Sequence, residues 1–342
     1  MILKLLIKGD EECRAPWFYR VLPILQMVQG HSIMHQIIGR GSQIVYDNNL
    51  PCFNALFIHL PHTKEDYELI ERAAKWGLKV WIDLDDNYWE IPPLNRAHNF
   101  FDKDRLKILD NCLRLADLIT VSTDPLNEYI SKFNFIRCPI HTVKNAINDF
   151  VLGEFFPPSW NYQGGEVTIN WRGSETHVPD LLAYKWAFTK RDNIKWQFWG
   201  YDPRLLNAKW YGSLDEYTVK PYEKSVLDYF MSFRRAQPDI LFIPLDDNEF
   251  NRCKSNIAAL EAIWAGAFPL CVDLPEFKEF FGPGSDEIFI ENFISNYSKP
   301  DSLLMDMYSE RYLKMVEIVK EKYLVSGWEQ KRFELLDKMM QS

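Results

Sequence analysis

Short apolar runs alternate with amphipathic segments along most of the chain, and the period of each run predicts its element. Residues 2–7 (ILKLLI) read as a buried strand. Residues 17–29 (WFYRVLPILQMVQ) carry helical spacing, with Pro23 as a kink. Further strands are predicted at 43–46 (QIVY), 54–60 (NALFIHL), 78–84 (LKVWIDL), 117–122 (DLITVS) and 140–143 (IHTV). Helices are predicted between them at 64–76, 103–115 and 124–133, the first stopped by Gly77. Such β-α-β alternation argues for a parallel sheet covered by helices.

Residues 153–165 (GEFFPPSWNYQGG) interrupt the alternation with Gly, Pro and polar residues, which predicts an interdomain linker. The pattern then restarts. Strands are predicted at 167–171, 194–200, 239–245, 268–272 and 287–290, and helices at 179–190, 224–236 and 253–265. A polar, aromatic loop is expected over 201–222, and a helical tail over 301–341 with a break at Ser326-Gly327. The fold class is therefore α/β, with two doubly wound domains. The expected boundaries are 1–152, 166–300 and a C-terminal helical segment 301–342.

Composition changes this picture only in places. The 342 residues include 12 Trp, 16 Tyr and 23 Phe, enough to fill two cores and still line a pocket. The net charge of −9 argues against a protein that coats nucleic acid non-specifically. Residues 1–150 hold 17 basic and 19 acidic side chains, against 22 and 29 in the remainder, so a local DNA contact by the first half stays open. Six cysteines without CxxC spacing fit reduced thiols in a cytoplasmic protein better than a zinc site or disulfides. No apolar run approaches the roughly 18 residues that span a bilayer, and MILKLLIKG is too short for a signal peptide. There is no GxxxxGK[ST] loop, and the GxG at Gly39 and Gly41 lacks its third glycine. His59 and His62 lie at a strand end without a third ligand nearby. They read as a pair near the surface or cleft, so no metal site is expected.

Four segments carry candidate chemistry. Asp83-Leu84-Asp85-Asp86-Asn87 follows a strand, where a doubly wound sheet binds its ligands. Asp85 or Asp86 could serve as general base on an acceptor hydroxyl, the cluster could hold a divalent ion, or it could be a solvated capping turn. Tyr88, Trp89 and Ile91-Pro92-Pro93 then form a stiff aromatic loop suited to a pocket wall. Residues 95–107 interleave Arg96, His98, Lys103, Arg105 and Lys107 with Phe100 and Phe101. That mixture suits phosphates and bases, or an ordinary helix start with solvated charges. In Ile169–His177 a strand runs into Arg172-Gly173-Ser174 before a helix. The glycine and helix start, with the Arg172 charge, read as a diphosphate cradle, and His177 could reach a phosphate or the transferred group. Finally, the strand ILFIPL ends in a polar loop, Asp246 to Arg252, and the predicted helix carries Lys254, Ser255 and Asn256 in its first turn. A bound anion would relieve the conflict between Lys254 and the helix dipole. Glu261, seven residues on, could accept both hydroxyls of a ribose.

The segment FNRCKSNIAALEAIWAGAFPLCVDLPEF, together with INWRGSETHVPD, DILFIPLDD, VWIDLDDNYW and CRAPWFYRVLPIL, resembles GT-B glycosyltransferases, in particular the retaining group called family 4. The resemblance implies two Rossmann-like domains facing a cleft, with the C-terminal helix crossing back onto the first. It implies a nucleotide-sugar donor, expected to be a UDP-sugar, on Arg172, Gly173, Ser174, Asn251, Lys254, Ser255, Asn256 and Glu261. Asp85, Asp86 and His177 would be catalytic, and Arg20, Trp89, Arg96 and His98 would meet the acceptor. No metal or other cofactor is implied. Where family members often carry a sugar-contacting glutamate, this chain has Cys253, leaving Asn251 or Glu249 for that contact. Retaining and inverting transfer both stay open. Compact enzymes of this look include bacteriophage proteins that glucosylate 5-hydroxymethylpyrimidines in DNA. A glycan, protein or small-molecule acceptor, a UDP-sugar epimerase, and a binding protein with a decayed site are the competing readings.

Overall fold

The apolar runs become strands buried on both faces, as parallel sheets require. The computed structural model describes residues 3–9, 14–39, 50–158, 166–188, 194–205, 217–281 and 302–342. Six strands form the first sheet: β1 (Lys4–Lys8), β2 (Met34–Ile38), β3 (Ala55–His59), β4 (Lys79–Leu84), β5 (Leu118–Val121) and β6 (Ile140–Thr142). Five form the second: β7 (Val167–Gly173), β8 (Ile194–Gly200), β9 (Tyr217–Lys220), β10 (Ile240–Ile243) and β11 (Phe268–Cys271). Their orders are β2-β1-β3-β4-β5-β6 and β11-β10-β7-β8-β9. Every neighbouring pair is parallel. The strand order reverses between β1 and β3 in one sheet and between β7 and β10 in the other. Those points open crevices at the strands' carboxyl ends.

Strand alternation assigns the first sheet's faces. Leu6, Leu56, Val80 and Ile82 pack under the helices Lys64–Lys75 and Lys103–Arg114. Leu5, Ile7, Phe57 and Trp81 face the helix Leu22–Gly30 and the C-terminal helix Val325–Gln341. The larger core surrounds Trp171, Trp196, Phe242 and Trp264 of the second half. Phe18, Tyr19 and Ile147 of the first half enter it, as do Tyr312, Met315, Val319 and Tyr323 of the tail.

Local chemistry sets the ends of these elements. Thr63 and Asp66 cap the helix Lys64–Lys75 reciprocally, each side chain accepting the other's backbone N–H. Gly77 ends the same segment at φ +76°. Pro23 lacks the N–H that would continue the ladder back to Tyr19. Directly before it, Trp17–Val21 form one wide π-turn, closed by Leu22 N–H on the Trp17 carbonyl. That turn buries both Tyr19 and Arg20.

Several elements differ from the sequence expectation. The predicted strands 43–46 and 287–290, residues 40 and 41 of the GxG, and Cys13 lie outside the described residues. β2 occupies Met34–Ile38, where no strand was expected; it is an edge strand whose Met34 and Ile37 are exposed, so no alternation marks it. β9 forms within the expected loop, also at a sheet edge. The helix expected over 179–190 ends at Ala183 and is followed by the 3-10 turn Lys185–Ala187. The predicted helix 253–265 starts only at Ile257, after a separate turn, Glu249–Arg252, capped by Asn248. Lys254, Ser255 and Asn256 thus lie in a loop, drawn sideways by Asp86, Asn145 and the Glu276 carbonyl. In the tail the break falls at Tyr323-Leu324, because Ile147 takes the Tyr323 carbonyl and the Val325 N–H. Gly327 is inside the last helix, which crosses back onto Leu22–Gly30.

Gly266 ends the helix Ile257–Ala265 at φ +86°, and a Cβ there would lie 2.6 Å from the Pro157 carbonyl oxygen. Gly266→Ala is expected to lower stability by about 1–3 kcal/mol, measured as a reduced urea midpoint with unchanged slope.

Candidate active site

β4 delivers three carboxylates with three different fates. Asp83, still in the strand, points with Trp81 towards the helix side and is buried. Arg20 grips it twice, Nε donating to Oδ2 at 2.9 Å and Nη2 to Oδ1 at 2.5 Å. Thr120 Oγ1 donates to Oδ1 at 2.6 Å, and His59 Nδ1 meets Oδ2 at 3.0 Å. Burial alone would raise this carboxyl's pKa, but Arg20 and His59 hold it well below the usual carboxylate range. Asp85 lines a cavity and accepts the Tyr88 hydroxyl. Asp86 lines the same cavity and pairs with Lys254, Nζ lying 3.3 and 3.4 Å from its oxygens. Burial pushes the Asp86 carboxyl up, Lys254 pulls it down, Asp85 adds to the rise, and the net direction is upward.

The second half supplies the opposite wall. Arg172, near the end of β7, forms an ion pair with Glu261 and lies 5.5 Å from the Tyr229 ring centre. Glu261 also accepts the hydroxyls of Tyr19 and Tyr229, the latter at 2.9 Å. Burial disfavours the Arg172 guanidinium, but Glu261 outweighs it and raises its pKa. His177 turns Nδ1 to Asp180 at 2.8 Å and lines the cavity. Asn145 bridges the halves, accepting from Arg20 Nη1 at 3.1 Å and donating to Ser255 at 2.9 Å.

The cavity between the two sheets' carboxyl ends has a volume of about 190 Å³. It brings together Arg20, Asp85, Asp86, Arg172, His177, Lys254, Ser255 and Glu261. The other expected site residues sit elsewhere. Gly173 packs against the Trp171 ring, where a Cβ would come within 2.7 Å, and Ser174 caps the following turn by accepting the Thr176 N–H. Asn251 is buried, donating to Asp180 and the Asp246 carbonyl at 2.8 Å each, and Asn256 donates to the Glu276 carbonyl. Trp89 donates to Asp110 at 3.0 Å and packs on Tyr129 and Phe133, on the first half's own core. Arg96 is exposed and pairs with Glu175 of the second half, and His98 Nδ1 meets the Ile91 carbonyl at 2.8 Å. Cys253 is buried against the first half, its carbonyl accepting Thr123 Oγ1 at 2.7 Å and burial pushing its thiol up to about 11. Glu249 pairs with Arg252 on the surface.

Of the two places expected for the histidine pair, the surface or the cleft, the surface does not hold. Both rings are buried, with His59 held by Asp83 and His62 by the Leu60 carbonyl. Asp83, His59, Tyr19 and Asn145 were missed as site residues. Alternation along β4 places Asp83 on the Trp81 face, a usable signal. Nothing local marks Tyr19 or Asn145, whose partners are remote in sequence. Among the described residues no group of three or more His, Cys, Asp or Glu side chains is arranged to hold a metal. No described helix is long and apolar enough to cross a membrane.

Two parallel sheets facing a cleft, with C-terminal helices crossing back, define the GT-B architecture. Solved structures share it over nearly their whole length. Anabaena Alr3699/HepE, in complex with UDP and glucose, aligns over 97% of this chain and 99% of its own at 10% identity, TM-score 0.64. T4 phage BGT, in complex with its UDP-glucose substrate, aligns over 98% and 100% at 11% identity, TM-score 0.62. Sucrose-phosphate synthase from Thermosynechococcus elongatus aligns over 98% and 99% at 10% identity, TM-score 0.65. No protein-family model matches the chain, and no curated protein matches it in sequence. At such identities the likeness is one of fold.

Removing the Asp83 charge leaves Arg20 buried and unpaired. Asp83→Asn is expected to cost about 3–5 kcal/mol at pH 7, read by chemical denaturation. A lowered carboxyl pKa stabilises the fold above the unfolded value near 3.9. That contribution fades as pH falls through the folded value, so the gap between wild type and variant should narrow in acid.

Proposed function

We propose that the chain is a glycosyltransferase that moves a hexose from a UDP-sugar to an acceptor hydroxyl. The observation that carries this reading is the convergence of Arg172, Lys254 and Glu261 of the second half with Asp85 and Asp86 of the first on one cavity. Cleaving the bond between a sugar and a diphosphate develops negative charge on the leaving oxygens, which Lys254 and Arg172 are placed to stabilise. Glu261 then takes the ribose hydroxyls, and Asp85 or Asp86 meets the acceptor. The cavity of about 190 Å³ is below the range of about 300–1,000 Å³ for small-molecule sites. The two similar folds bound to UDP and glucose or to UDP-glucose support the donor class. One similar structure is described as a DNA-modifying β-glucosyltransferase, which makes 5-hydroxymethylpyrimidine DNA one acceptor to assay beside glycans. With two protein cations on the leaving group, we propose that transfer needs no metal.

The test is incubation with UDP- and GDP-sugars and an acceptor panel that includes modified DNA, read by mass spectrometry. Sugar transferred to an acceptor supports the proposal, whereas an isomerised donor without acceptor would place the chain among epimerases. Lys254→Ala should lower turnover about 10²–10³-fold while the melting temperature stays near wild type. Full activity in that variant would sink the assignment. Added EDTA should leave the wild-type rate unchanged.

A further inference from the structure

We propose that His59 is the relay behind Asp85, a positioning residue that receives the acceptor's proton from that carboxylate during transfer. The inference rests on the glycosyltransferase reading above and deepens it. His59 stands at the carboxyl end of β3, beside the switch point of the first sheet. Its Nδ1 side is fixed by ionised Asp83, which in turn is fixed by Arg20 and Thr120. An ionised carboxylate only accepts, so Nδ1 carries the proton of the neutral ring and Nε2 is left with its lone pair. Nε2 is buried without a hydrogen-bond partner among the described residues and lies 3.6 Å from Asp85 Oδ1. A buried acceptor aimed at another acceptor is unfavourable until a proton stands between them. The Tyr88 hydroxyl donates to the same Asp85 Oδ1 and fixes that oxygen beside the ring, and burial with the Asp85 charge keeps that phenol protonated.

The step balances. The acceptor oxygen bonds to the anomeric carbon while the bond from that carbon to the diphosphate oxygen breaks, and its electron pair leaves with the diphosphate. The acceptor's proton goes to Asp85 and from there to Nε2, giving an imidazolium between Asp85 and Asp83. Burial disfavours that charge, and Asp85 and Asp83 outweigh it against Arg20, so His59 holds a proton more readily than a free histidine. The remaining polar groups around the ring, Lys8, Asp66 and His62, share a void of about 30 Å³ with it, and Lys8 and Asp66 pair with each other.

The pH profile of kcat/KM for transfer, in wild type and H59Q, tests the relay. The base form needs neutral His59, so wild type should lose activity below a midpoint above the ordinary imidazole value of about 6.5. H59Q should move that limb towards the carboxylate range and lower the plateau about 10²-fold, the low end for a positioned base, with donor KM unchanged. A wild-type limb and plateau in H59Q would overturn the relay. A second arm needs no turnover and covers an H59Q that does not fold. In ¹⁵N spectra of the histidine rings, D85N should lower the His59 midpoint, and an unchanged midpoint also overturns the proposal. Wild type that transfers from no donor overturns the glycosyltransferase reading instead, and the spectra still decide whether His59 and Asp85 are coupled.

Discussion

A carboxylate taken out of water must be surrounded by charge and donors, and Asp83 imposes that condition on the first half. Satisfying it draws Arg20 from the turn before Leu22–Gly30, His59 from β3 and Thr120 from β5 onto one side chain of β4. Arg20 then spends Nη1 on the Val143 carbonyl and Asn145 Oδ1, which pins the segment after β6. From Asn145 the chain of contacts passes to Ser255 in the second half. The C-terminal helix adds a further constraint. Arg332 is buried beside this cluster, and burial together with the nearby Arg20 pulls its guanidinium down to about 9. With two guanidinium groups so close, the Asp83 charge is what makes their burial tolerable.

The two halves meet through contacts of two kinds. Phe18 and Tyr19 lodge in the second half's core, and Phe250 and Cys253 lodge in the first half's, so each half holds an apolar anchor in the other. Around the cavity the contacts are polar instead: Tyr19 with Glu261, Lys254 with Asp86 and Asn145 with Ser255. Another, Lys144 with Glu276, lies on a separate crevice. Apolar anchors resist separation in proportion to buried area, whereas polar pairs can be exchanged for ligand groups of like chemistry. Reorganisation on binding would therefore start at the cavity.

Much of the fold was legible because parallel sheets write themselves plainly. Strands buried on both faces leave continuous apolar runs, and the helices between them keep one polar face, as in Lys64–Lys75. What failed were edge elements and tertiary overrides. β2 and β9 bury too little to show a pattern. The helix start at Ile257 and the break at Tyr323-Leu324 are decided by partners in the other half, Asp86 and Asn145 in one case and Ile147 in the other. The same limit governs the site. Lys254, Arg172 and the Asp85-Asp86 pair were readable as charged residues beside strand or helix ends, and Glu261 as a carboxylate within an apolar helix. Trp89, Asn251 and Asn256 were readable as polar or aromatic residues nearby, but sequence proximity does not say which way a side chain turns.

Every charged group on the cavity is already spoken for, and this bears on how a donor could enter. Lys254 is neutralised by Asp86 and Arg172 by Glu261, so neither cation offers a free charge to an incoming diphosphate. Under the proposed function the exchange is self-consistent. Phosphate oxygens are acceptors and would replace Asp86 and Glu261 on the two cations. Ribose hydroxyls are donors and would replace Arg172 and Tyr19 on Glu261. Asp86, released from Lys254, would then carry an uncompensated charge beside Asp85, which favours taking up a proton or a donor hydroxyl. A nucleoside diphosphate without sugar would satisfy the first two exchanges but leave Asp86 with neither sugar nor acceptor hydroxyl. The carboxylate pair thus makes the complete donor and acceptor, rather than the nucleotide alone, the arrangement in which every buried charge is met.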